Sequence, residues 1–138
     1  MTDEHDHTPS PTPTPLTLNS LVFLAHNHAL TKGFYDGAPE RAPSQATVDF
    51  LLQRLMLIVT EVAEAAEEIT SGAVFHLGTF RINVGESNKP EGFLVELADI
   101  MIRCAHLVGW IGSRDFEAVV RAKMEYNATR PPKHGKLA

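Results

Sequence analysis

The sequence predicts an all-α fold: a four-helix bundle-like domain with a short β-hairpin inserted between the second and third helices. Three observations lead to it. Apolar residues recur every three or four positions in four separate stretches. Glycine and proline interrupt the pattern between those stretches. Of the 138 residues, 43% are hydrophobic, so a chain of this length can build one compact domain with a core.

The chain begins with a tail. In residues 1–15, four prolines alternate with serine and threonine, a composition that forbids helix and leaves nothing to bury. We therefore predict a disordered Pro-rich tail over 1–15 and a single helical domain over 16–138. The first helix is predicted over 16–32, where the glycines and prolines of the following loop end it.

The remaining helices follow from caps and apolar stripes. The second helix is predicted over 45–71, with Ser44 as N-cap and Gly72 as its stop. The third is predicted over 91–111 and the fourth over 114–128, capped by Ser113. The stripe of the second helix, which we expect to pack against the third, consists of Leu51, Leu55, Ile58, Val62, Ala65 and Ile69.

A β-hairpin is predicted between the second and third helices. Phe75 and Leu77 precede the pair Gly78-Thr79, and Phe80, Ile82 and Val84 then alternate with polar residues. Alternating runs around a two-residue turn with glycine first are typical of a hairpin. An irregular loop is the alternative interpretation.

Composition excludes several classes of protein. A net charge of -5 argues against a general nucleic-acid binder, because phosphates are neutralised by an excess of Lys and Arg. It leaves room for a small phosphorylated ligand held through a metal ion. No apolar run is long enough to span a membrane. The acidic start does not resemble a secretory signal, and one cysteine, Cys104, fits a reducing compartment, so we expect a cytoplasmic protein.

Two acidic stripes are the most informative feature of the chain. Glu61, Glu64 and Glu68 share one face of the second helix, because residues three or four apart are neighbours on a helix. Glu96 and Asp99 repeat this arrangement on the third helix. Each stripe lies one residue, or roughly 100°, from the apolar stripe of its own helix. If the helices pack through those apolar stripes, the two acidic edges meet.

Such a meeting favours a metal site. Two carboxylates about 5 Å apart repel each other by roughly 3 kcal/mol at an effective dielectric near 20. A divalent cation relieves this repulsion, and ligands that are all oxygen suit Mg²⁺ or Mn²⁺. A solvated glutamate face is the alternative, and spacing alone does not decide between the two. A ferritin-like di-iron centre is disfavoured because no Glu of the four predicted helices is followed by His three positions later.

The ordered motifs resemble a known family. Glu61-x-x-Glu64 followed by Glu96-x-x-Asp99 on consecutive helices is similar to the MazG-like branch of the all-α nucleoside triphosphate pyrophosphohydrolases. The segments 28–35 (HALTKGFY) and 123–135 (KMEYNATRPPKHG) resemble the opening and the tail of the small MazG-like proteins. The resemblance covers nearly all of residues 20–135.

This resemblance implies Mg²⁺-dependent cleavage of a nucleoside triphosphate to the monophosphate and pyrophosphate, by a homodimer or a homotetramer. It implies the metal ligands Glu61, Glu64, Glu96 and Asp99, and it implies that Lys123 and Asn127 face the phosphates. Thirty-one residues separate Glu64 from Glu96, more than is typical of the family, and the hairpin insert accounts for the difference.

Further roles follow from charge and position. Glu64 or Glu61 is the candidate catalytic carboxylate that orients the attacking water or accepts its proton. The basic C-terminal stretch offers Arg130 and Lys133 to a phosphate chain, with a solvated tail as the alternative. Asn27 is a candidate contact to base or sugar, and Glu68 is a candidate accessory to the metal site.

Two other functions remain open from sequence. One is an enzyme that resembles phosphoribosyl-ATP pyrophosphatase. The other is a non-catalytic helical protein that binds nucleotides or regulates through its assembly.

Overall fold

Four helices and one pair of short strands make up the part of the chain that the structure, a computed structural model, describes: residues 15–71, 78, 81–82 and 88–131. The predicted all-α fold is confirmed. In chain order the elements are α1 (Leu18–Thr31), α2 (Gln45–Thr70), β1 (Arg81–Ile82), β2 (Pro90–Glu91), α3 (Phe93–Ile111) and α4 (Phe116–Ala128). The predicted stop at Gly72 and most of the predicted tail lie outside the described residues.

The helix starts follow local capping chemistry. The Ser44 hydroxyl accepts the backbone N–H of Thr47, so the predicted cap of α2 is confirmed. The predicted cap of α4 is wrong, since Asp115 caps that helix and not Ser113. Ser113 belongs to the end of α3, where its N–H bonds back to the carbonyl of Val108 just after a left-handed glycine, Gly112.

The strand pair between α2 and α3 differs in detail from the predicted hairpin. Ile82 is in a strand as predicted, but the antiparallel register joins it to Pro90, and Arg81 to Glu91. The predicted first strand, around residues 75–77, lies outside the described residues. Because residues 90–91 pair with β1, α3 begins at Phe93, two residues later than predicted.

The central helix is α3, which packs against both α1 and α2. α1 runs antiparallel to it, as Asn19 bonds to Asp115 at one end of α1 and His28 lies near Asp99 at the other. α2 does so too, since Phe50 contacts Trp110 and Glu61, further along α2, bonds to Arg103. One group of buried residues joins α1, α3 and the loop before α2, and partly buried side chains of α2 pack on it. This group consists of Ala29, Tyr35, Leu107 and Trp110.

A buried polar pair lies in this core. The Tyr35 hydroxyl and Nδ1 of His106 are 2.5 Å apart, and both residues are less than 9% exposed. Burial raises the pKa of Tyr35 to about 12. Burial, together with the nearby charges of Arg103 and Arg54, lowers the pKa of His106 to about 4. The pair is therefore neutral at pH 7, which is the form that a core tolerates best.

The apolar stripe predicted for α2 is divided between two faces, which corrects the expected packing. Leu51, Ile58 and Ala65 turn toward the core, as predicted. The other three members are 39–50% exposed. They belong to a row on the flank of the helix, about 100° around it from the core-facing side, that we call the outer seam: Leu52, Leu55, Val59, Val62, Ala66 and Ile69.

The inward face of α2 carries charged side chains alongside the apolar ones. Arg54 lies over the rings of Tyr35 and Phe50, and Glu61 is one of its most buried residues. A prediction from the spacing of apolar residues takes no account of such charged side chains. The predicted stripe therefore coincides only in part with the side of α2 that faces α3.

A close approach of α1 and α3 at Gly109 yields a stability prediction. A methyl group added there would lie 2.5 Å from Cβ of His26, so the helices must separate. We expect Gly109→Ala to lower the free energy of unfolding by about 1–3 kcal/mol in urea denaturation. Gly78→Ala is the control, because none of the described residues lies within 4 Å of its added methyl, and its effect is expected within about 0.5 kcal/mol. Equal effects of the two variants would contradict the close approach.

Candidate functional site

Three carboxylates meet where α2 packs against α3. One oxygen each from Glu61, Glu64 and Glu96 lies within 4.8 Å of the other two. Glu61 and Glu64 are one turn apart on α2, and antiparallel packing brings the first turn of α3, with Glu96, alongside them. Glu61 is only 4% exposed, whereas Glu64 is exposed, so the cluster opens to solvent at Glu64. The structure thus brings together three of the four predicted metal ligands.

Arg103 of α3 holds the buried member of the cluster. Its Nε donates to Oε1 of Glu61, and its Nη2 contacts the same oxygen. An ionised carboxylate this deeply buried needs such a partner, because removing its charge from water costs several kcal/mol. Sequence analysis missed Arg103, although a signal was present: it lies four residues after Asp99 and seven after Glu96, on their face of the helix.

The electrostatics of the cluster reflect crowded negative charge. Burial raises the pKa of Glu96, and Glu64, Asp99 and Glu61 raise it further. Burial and then Glu61 raise the pKa of Asp99. Lys89 opposes both shifts, and Arg103 opposes that of Asp99. A divalent cation among these oxygens would relieve the same repulsion, and the donor set, all carboxylate, fits Mg²⁺ or Mn²⁺.

Asp99, the fourth predicted ligand, lies one turn further along α3 and borders a cavity between α1 and α3. The cavity has a volume of about 300 Å³. That size is at the lower end of the range for small-molecule sites. Apolar side chains form part of its wall and ionisable side chains the rest, and its lining is Ala25, His28, Ala29, Phe34, Asp99, Ile102, Arg103 and His106.

Two consecutive aromatic residues after α1, Phe34 and Tyr35, have different surroundings. The ring of Phe34 lines the cavity and is 49% exposed, so one of its surfaces is accessible. Tyr35 is buried and stacks on Trp110 with a centroid separation of 6.4 Å, so it is a core residue. His28 lines the cavity, while its neighbour Asn27 is exposed and is not among the lining residues.

The candidate phosphate-binding residues of α4 are not brought to the carboxylates within one chain. Leu18 and Met124 line a shared surface groove, so α4 lies at the N-terminal end of α1. His28, ten residues along α1, marks the cavity beside Asp99, and ten helical residues span about 15 Å. Lys123 and Arg130 both lie over the ring of Tyr126, at 4.9 and 6.0 Å.

Asn127 is half-buried on the same helix, and Lys133 lies outside the described residues. The roles that the sequence suggests for these four residues stay predictions.

Glu68, the candidate accessory residue, bonds elsewhere. Its Oε2 lies 3.7 Å from Nη2 of Arg81 in β1. That oxygen is buried and accepts no hydrogen bond within the described part of the chain. Glu68 therefore links α2 to the strand pair and stands beside the carboxylate cluster without belonging to it.

The fold and this site define an all-α protein with a candidate divalent-cation centre between two antiparallel helices. Comparison with protein-family models, with curated proteins and with solved structures gives no match. Among the described residues, no helix combines the length and hydropathy needed to cross a membrane.

The pairing of Arg103 with Glu61 yields a second stability prediction. We expect Arg103→Met, measured by urea denaturation in EDTA, to lower the free energy of unfolding by about 3 kcal/mol, since it leaves a buried carboxylate unpaired. Glu61→Gln added to it should recover much of the loss. Arg121→Met is the control, because its ion pair with Glu117 is exposed and is expected to contribute under about 0.5 kcal/mol. A double variant no more stable than Arg103→Met would contradict the role of the pair.

Proposed function

We propose that this protein is a Mg²⁺-dependent nucleoside triphosphate pyrophosphohydrolase, which cleaves a (deoxy)nucleoside triphosphate to the monophosphate and pyrophosphate. The observation that carries the proposal is the convergence of Glu61, Glu64 and Glu96 from two helices, with oxygens within 4.8 Å of one another. The cavity bordered by Asp99 supports it, since it offers a space for the rest of a nucleotide beside the charged cluster. The order of the motifs along the chain, which resembles the MazG-like enzymes, supports it further.

The proposed ligands for the ion are Glu61, Glu64 and Glu96, with Asp99, one turn further along α3, as the fourth. When bound, Mg²⁺ or Mn²⁺ neutralises the triphosphate and lowers the pKa of a coordinated water. The Arg103 contact fixes the carboxylate of Glu61, which favours a positioning role for this residue. Glu64 is exposed at the mouth of the cluster, which favours it as the residue that orients the attacking water and accepts its proton.

The cavity is the proposed binding site of the nucleoside. The accessible ring of Phe34 offers a surface on which a base can stack. Arg103 and Asp99 stand between the cavity and the carboxylate cluster. A nucleotide lying across them has its base against α1 and its phosphates near the acids, which is the positioning that phosphoryl chemistry chiefly requires.

We also propose that the protein is a homodimer formed through the outer seam of α2. Its six residues follow one another at alternating intervals of three and four, the heptad spacing of a coiled-coil interface. The five large side chains among them are 39–55% exposed. Two such seams packed together would bury on the order of 1,000 Å², which is what a specific interface needs. A second copy is the fitting occupant because the heptad repeat matches an identical helix.

The enzymatic proposal predicts pyrophosphate release that depends on divalent metal. With a panel of canonical and modified triphosphates, we expect turnover in Mg²⁺ or Mn²⁺ and none in EDTA. Glu64→Gln and Glu96→Gln should each lower kcat at least 100-fold, since they remove charge from the metal centre. Glu67→Gln is the matched control, because it neutralises an exposed glutamate of α2 outside the cluster, and it should retain full activity.

Other outcomes of that panel would select other functions. Phosphoribosyl-ATP is included as a further substrate, and turnover confined to it would favour an enzyme that resembles phosphoribosyl-ATP pyrophosphatase. Nucleotide binding without turnover would favour a non-catalytic binding protein. Cluster variants as active as wild type would end the catalytic proposal.

The dimer proposal predicts a change of mass on charging the seam. We expect wild type to sediment as a dimer and Val59→Glu as a monomer, because a buried unpaired carboxylate opposes association. Val119→Glu, which changes an equally exposed valine on α4, should remain dimeric. A monomeric wild type at micromolar concentration would reject this interface.

A further inference from the structure

The strand pair is attached to the end of the molecule that carries the carboxylate cluster. β2 leads through Gly92 directly into α3, whose first turn contains Glu96. β1 pairs with β2, and its Arg81 forms the ion pair with Glu68 of α2. One covalent and one ionic connection therefore hold the strand pair beside both helices that supply the acids.

This placement brings basic side chains of the insert to the acids. Lys89 immediately precedes β2 and is exposed, and its charge acts on both Glu96 and Asp99. Arg81, whose side chain is 59% exposed, lies on β1, the strand that pairs with β2. The residues of α4 that the sequence analysis expects to face the phosphates lie at the other end of α1 in the same chain.

The order of groups along α3 suggests how a ligand lies. Lys89 precedes the helix, Glu96 lies in its first turn, and the cavity then extends along α3 from Asp99 to His106. Glu96 and His106 are ten residues apart, which is about 15 Å along the helix. An extended nucleotide with its base in the cavity therefore has its phosphates at the cluster and their outer end toward β2.

We propose that Lys89, with Arg81 on the paired strand, binds the outer phosphates of the nucleotide, so that the strand pair supplies a phosphate clamp. This inference rests on the proposed function and names the residues that distinguish a triphosphate from a monophosphate. An ammonium group suits the role because it binds phosphate oxygens as a point charge and needs no fixed geometry.

The test compares steady-state kinetics at saturating Mg²⁺ with the best triphosphate of the panel. Lys89→Ala should raise KM about tenfold and leave kcat within about twofold, as expected when ground-state and transition-state binding are lost equally. Lys89→Arg should restore KM. Arg114→Ala, which removes an exposed cation from the loop before α4, should change neither constant. Both positions are exposed, so the three variants are expected to fold.

A KM that does not rise in Lys89→Ala overturns the inference. If Lys89 merely offsets the charge of the acids, its removal instead strengthens Mg²⁺ binding, which a Mg²⁺ titration of activity detects. Calorimetric titration with a non-hydrolysable triphosphate analogue in Mg²⁺ separates this failure from that of the proposed function. Analogue binding that weakens in Lys89→Ala supports the clamp even if wild type releases no pyrophosphate, and unaltered or absent binding overturns it.

Discussion

The contact on which this arrangement depends is the ion pair between Glu61 of α2 and Arg103 of α3. It lies inside a helix–helix interface, where apolar packing would ordinarily be expected. The guanidinium pairs with a carboxylate that is only 4% exposed and so offsets part of the cost of burying it. Glu64 and Glu96 lie beside Glu61, with one oxygen of each within 4.8 Å of the others. This concentration of negative charge makes the cluster a candidate metal site. Interface and candidate metal centre are thus one structural feature.

This use of the interface explains why so much apolar surface remains on the outside. The inward face of α2 is occupied by Arg54, Glu61 and Glu68 as well as by apolar residues, so Leu55, Val62 and Ile69 lie beside that face and stay exposed. The helix thereby presents a mixed polar and apolar face to its own chain and an apolar seam on its flank. The dimer proposed above would bury this seam.

The two ends of α3 have different tasks. Its C-terminal half contributes Leu107 and Trp110 to the core, and the Tyr35–His106 pair within that core is neutral. Its N-terminal half carries Glu96 and Asp99 and exposes Leu94 and Met101. The core residues and the candidate site therefore lie in different halves of one helix, and the cavity lies where the two halves meet.

The sequence by itself determined the four helices, the cap at Ser44, the presence of strand structure around Ile82 and the pairing of acidic stripes on α2 and α3. These are local properties, since periodicity, capping and turn chemistry act over a few residues. Only the tertiary structure decided which face of α2 turns inward, that Arg103 neutralises Glu61, that β1 pairs with residues 90–91, and that α4 lies away from the acids. Each of these depends on which distant segments approach one another, and a helix with two apolar faces and an acidic edge is compatible with more than one such packing.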